Sequence, residues 1–91
     1  MTKTQFNIAA AGILGACAAG GDLGAPGGVM YAGLMSKGYT LQDFNSILGA
    51  MVTAGLIDGR GDCYTLTAAG IEINSAIDAA IAERNQKRAA A

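Results

Sequence analysis

Apolar residues fall in five blocks along the chain, and four of the five read as helices while the fourth in order reads as a hairpin. In the first, residues 4–19, Phe6, Ile13, Leu14 and Cys17 lie near one face of a helix that Gly20-Gly21 ends. Gly12 and Gly15 inside it each cost about 1 kcal/mol against alanine, which a neighbour packed tightly on that notch would offset. Residues 20–28 form a turn-rich connection, with Pro26 suited to the start of a second helix over 28–37. There Val29, Met30, Leu34 and Met35 are expected to point inward and Gly38 to stop the helix; the methionines read as gap fillers.

The strongest local signals lie over residues 41–54. Thr40 is an N-cap, Asp43 completes a capping box, and Gly55 follows the last turn. Phe44, Ile47, Leu48, Met51 and Val52 form a wide apolar stripe, which leaves Gln42, Ser46, Gly49 and Thr53 facing water or a partner. The period then changes. Leu56-Ile57 and residues 63–66 can pair as a two-stranded hairpin over 56–66, because Asp58-Gly59 and Gly61-Asp62 carry turn chemistry, with Arg60 at the tip. Thr67 caps a last helix, 68–88, in which Ile73, Ile77 and Ile81 recur every four residues. The predicted fold is mostly α with a small β-hairpin, in one domain over 1–91.

Composition narrows the classes. A chain of 91 residues buries only about 60–65% of its unfolded surface, so its margin is thin and a second subunit would add to it. Apolar residues make up 52% but many are Ala, and 14 are Gly, so thin helices must pack closely. A net charge of −1, from six basic and seven acidic residues, sets up no overall field toward nucleic acid or an anionic membrane. Cys17 and Cys63 form no Cys-x-x-Cys motif, which fits reduced thiols in a cytoplasm. The apolar run 6–19 is shorter than the roughly 17–25 residues of a membrane span, so a buried helix and no membrane partner are expected. Leu14-Gly15-Ala16-Cys17 looks like a lipoprotein processing box, but the region before it is Ala-rich with a single Lys, and a core helix is the simpler reading.

Candidate chemistry is sparse. With no His and no paired carboxylates, an enzyme is not expected, nor is a cofactor or a metal. Residues 20–28 lack both glycine spacings of phosphate-binding loops, and the Asp58-x-Arg60-x-Asp62 series lacks the Gly and closing Glu of an EF-hand. Arg60-Gly61-Asp62 is read as a turn carrying one cation. Cys17 reads as a structural thiol. Cys63, beside Arg60, is the more open to redox chemistry.

The order Gly55-Leu56-Ile57, turn, Tyr64, Leu66-Thr67, Gly70, behind two helices, resembles winged helix-turn-helix regulators of the broad MarR-like and small phage types. The resemblance covers nearly the whole chain. It implies a recognition-type helix at 41–54 entering the major groove of double-stranded DNA and a wing at 56–66 touching the backbone or minor groove. On that basis Gln42, Asn45, Ser46 and Thr53 would read bases or phosphates and Arg60 would anchor the wing. Lys37, Arg84, Lys87 and Arg88 are candidate phosphate contacts, although the last three read first as a solvated helix end that complements its dipole. The recognition helix bears no Lys or Arg on its outer side, and Asp43 adds negative charge at its start. A small uncharged face including Gly49 suits protein recognition equally, as in a phage-encoded inhibitor or adaptor of host nucleic-acid machinery, so both partners stay open. The Gly12, Gly15 notch and the Ile stripe further predict a homodimer through the first and last helices.

Overall fold

The computed structural model describes residues 1–90, with side chains through Arg88. Helices α1 (Lys3–Gly20), α2 (Gly27–Met35), α3 (Leu41–Thr53) and α4 (Ala68–Ala90) surround a small antiparallel sheet of β1 (Ala25–Pro26), β2 (Ile57–Arg60) and β3 (Cys63–Leu66). The strand order is β1-β3-β2. The molecule is thus mostly helical with a three-stranded sheet, an arrangement compatible with a winged helix.

Local chemistry accounts for the element boundaries. At Thr40 the capping box closes in both directions: Asp43 N–H donates to Thr40 Oγ1 at 3.0 Å, and Thr40 N–H donates to Asp43 Oδ2 at 3.1 Å. At the other end of α3, Leu56 N–H donates to Met51 O and Gly55 N–H to Val52 O, both at 3.0 Å. This paired ending needs a left-handed residue, and Gly55 supplies it with φ of +77°. Gly38 ends α2 by the same pattern, with Tyr39 N–H on Leu34 O and Gly38 N–H on Met35 O. A further capping box, between Thr2 and Gln5, starts α1 one residue earlier than its apolar pattern suggests.

The sheet differs from the two-stranded expectation. Ala25 and Pro26 pair with Tyr64 and Cys63 and add a third strand at the sheet edge, where proline's missing N–H is not needed. Gly24 makes the approach possible: with a φ of +75°, a Cβ there would lie 2.5 Å from the Tyr64 carbonyl oxygen. Gly27 N–H then donates to Asp62 O at 2.8 Å. Asp58, Gly59 and Arg60 are strand residues rather than turn residues, so only Gly61-Asp62 form the loop. Arg60 is paired to Cys63 on the last rung of β2 and is not the tip.

The core centres on Ile13 and Cys17 of α1, Ile47 of α3 and Ile57 of β2, all essentially inaccessible. Phe44, Leu48 and Met51 extend it, and Tyr31 of α2 meets Phe44 with ring centroids 5.6 Å apart. Several apolar positions expected inside are outside. Val29 and Met35 of α2 are exposed, because a nine-residue helix touches the body only along Met30 and Leu34 with Tyr31 beside them. Val52 is also exposed, and in α4 only Ile77 of the Ile series packs on the core. Nothing lies within 4 Å of a Cβ placed on Gly12 or Gly15, so none of the described residues fills that notch. The apolar-run length also understates the first helix: residues 3–23 are long and apolar enough to cross a membrane by length and composition, although α1 supplies Ala9, Ile13, Leu14 and Cys17 to the core.

The segments flanking the hairpin are tied into one knot. Thr67 N–H donates to Leu56 O at 3.1 Å, Thr67 Oγ1 donates to Gly55 O, and Gly70 N–H donates to Thr67 Oγ1 at 3.1 Å. A Cβ on Gly70 would run into the Leu56 carbonyl oxygen. These contacts explain in physical terms why Gly-Leu-Ile and Leu-Thr-x-x-Gly occur together.

Candidate functional site

Burying one stripe of α3 fixes what the other presents. With Phe44, Ile47, Leu48 and Met51 inside, Gln42, Asn45, Ser46, Gly49 and Thr53 are all exposed on the outer side of the helix. A Cβ on Gly49 would meet nothing within 4 Å, so a partner can approach the backbone there. Tyr39 Oη donates to the Gln5 carbonyl oxygen at 2.7 Å, which ties the α2–α3 connection to α1 and sets the pose of the helix. Leu41 and Val52, 52% and 44% exposed, flank the same side and leave an apolar edge beside the polar row.

The other predicted cationic contacts are exposed on separate elements. Lys37 is exposed at the end of α2. Arg84, Lys87 and Arg88 are exposed in the last turns of α4, where they complement the helix dipole, and Lys87 Nζ lies 3.4 Å from Glu83 Oε1. Asp43 is half-buried, and one oxygen of its carboxylate accepts the Thr40 N–H. Arg60, at the end of β2, lines a cleft of about 570 Å³ bounded by the end of α1, the following 3₁₀ turn (Gly21–Leu23), the sheet and the first turns of α4. No α3 residue lines that cleft.

The structure therefore gathers a group that sequence spacing could not. Asp22, the Asp58 and Arg60 pair, and the Asn74 and Ser75 pair converge on one cleft from three distant parts of the chain. Asp58 and Arg60 share a face of β2 by strand alternation, whereas Asp22 and Asn74 join them only through the packing of α1 and α4. Cys17 forms part of the wall. Burial pushes its thiol above the ordinary value, which favours an unreactive protonated sulfur, and its Sγ sits 4.0 Å from Met30 Sδ. Cys63 is half-buried on β3.

Compared with protein-family models, curated proteins and solved structures, the chain matches none of them. What it could bind rests on its own geometry.

Proposed function

We propose that the chain is a small winged-helix regulator that binds duplex DNA, with α3 in the major groove and the β2–β3 hairpin against the backbone. One observation carries this reading. α3 is fixed by caps at both ends and backed by the core, and it turns an unbroken row of amide, hydroxyl and glycine positions, Gln42, Asn45, Ser46, Gly49 and Thr53, to solvent. Such groups can bond base edges and phosphate oxygens, and the major groove admits one helix. Arg60 serves as the wing anchor, and Lys37 with Arg84, Lys87 and Arg88 supplies phosphate contacts that a homodimer doubles. Titrating labelled duplex at low and moderate salt tests the proposal. Measurable binding that weakens with salt, and weakens further in Arg60→Ala, supports it; no binding at low salt removes it.

A second reading, a protein-interaction module that ignores DNA, is favoured by one feature of the same helix. The outward row has no Lys or Arg and is edged by exposed Leu41 and Val52, a surface a protein can cover without desolvating a charge. It predicts a partner lost on Gly49→Arg, while duplex binding is nil in both forms of the protein.

A further inference from the structure

We infer that the cleft between α1, the sheet and α4 is a binding site for a small zwitterion, an α-amino acid with an apolar side chain. Its volume of about 570 Å³ lies within the roughly 300–1,000 Å³ of small-molecule sites. Two carboxylates, Asp22 and Asp58, share it with one guanidinium, Arg60. Even so, among the described residues ion pairing within 4.0 Å is confined to Glu83 and Lys87. All three line the cleft, and Arg60 lies within 4.0 Å of neither carboxylate.

That arrangement selects by charge. A simple anion drawn to Arg60 would also meet two carboxylates, and a simple cation drawn to the carboxylates would meet Arg60. A ligand carrying both signs a few ångströms apart satisfies all three. The Arg60 fork matches a carboxylate, and Asp22 and Asp58 can accept from an ammonium group. Leu66 and Ile71 add apolar wall, and Ile71 is 55% exposed, so an aliphatic side chain laid on it would remove apolar surface from water. The site uses no residue of α3 and shares only Arg60 with the DNA reading; Asp58→Asn, which touches the cleft alone, separates the two.

The full chain, labelled with ¹⁵N, is titrated with L-leucine and followed by amide shifts. The expected result is saturable shifts centred on residues 22, 58, 60 and 74. Binding should be at least tenfold weaker for 4-methylpentanoate, which lacks the ammonium group, and for 3-methylbutylamine, which lacks the carboxylate. Arg60→Gln and Asp58→Asn are exposed changes whose spectra report folding directly, and each should weaken L-leucine at least tenfold. No shifts at 20 mM L-leucine, equal binding of either single-charge analogue, or unchanged affinity in folded Arg60→Gln would overturn the assignment.

Discussion

The Leu56 carbonyl oxygen dictates what residue 70 can be. It accepts from Thr67 N–H and lies where a Gly70 side chain would start, so even a methyl group must push α4 away from the strand entry. Gly70→Ala should therefore lower stability by about 3 kcal/mol, the upper range for overpacking, as read from denaturant midpoints. Gly49→Ala, in open space within a helix, should instead be neutral or raise stability by about 0.5–1 kcal/mol. Equal effects at the two sites would refute this account of the knot. Cys17 gives a pH prediction. Burial raises its thiol above the ordinary 9.0 in the folded state. The folded protein therefore holds that proton more tightly than the unfolded chain, and the stabilisation is complete below about pH 9 and lost as pH rises through the folded value. The loss of stability between pH 8 and pH 10.5 should be smaller in Cys17→Ala than in the parent protein; an identical alkaline loss would contradict a buried, protonated Cys17.

Among the elements, α3 and the hairpin were legible in the sequence because their signals are local. Thr40, Asp43 and Gly55 state both ends of the helix within its own neighbourhood, and both the capping box and the glycine ending are present. Thr40→Ala should cost about 1 kcal/mol, visible as a lower thermal midpoint, and no change would mean that packing alone holds the helix start. β1 was not legible, because a two-residue strand of Ala25 and Pro26 exists only through its register with Tyr64 and Cys63, far along the chain. Val29, Met35 and Val52 are exposed against their pattern for a related reason: periodicity says which residues share a face, but not how much of that face a small body can cover. For the candidate sites the division is the same. The outward row of α3 follows from one helix's period, while the meeting of Asp22, Arg60 and Asn74 needs three elements docked together.

As a whole, the molecule has more surface than its mass requires. Its accessible area is 5897 Å² for 9.1 kDa, against about 4,900 Å² for a folded monomer of that mass. Its radius of gyration of 13.5 Å exceeds the roughly 12 Å of a compact chain of this length. Along α4, every described side chain after Ile77 is exposed, including Ile81, while Ile8, Gly12 and Gly15 on α1 stand open. The excess of about 1,000 Å² is close to the roughly 800 Å² each partner contributes to a stable interface, which supports the proposed homodimer through α1 and α4. Light scattering should give twice the chain mass, and Ile81→Glu should shift it toward the monomer; monomer mass at high protein concentration would contradict the pairing. On the proposed DNA reading, two copies of Lys37 and Arg60 alone would make four phosphate contacts and a slope of log affinity on log salt of about −3 to −4, steeper with each contact added by Arg84, Lys87 or Arg88. The most direct test of the central claim is duplex affinity measured at two ionic strengths. The account predicts measurable binding at the lower, reduced along that slope at the higher; no duplex binding at the lower salt, with the protein folded, would contradict it.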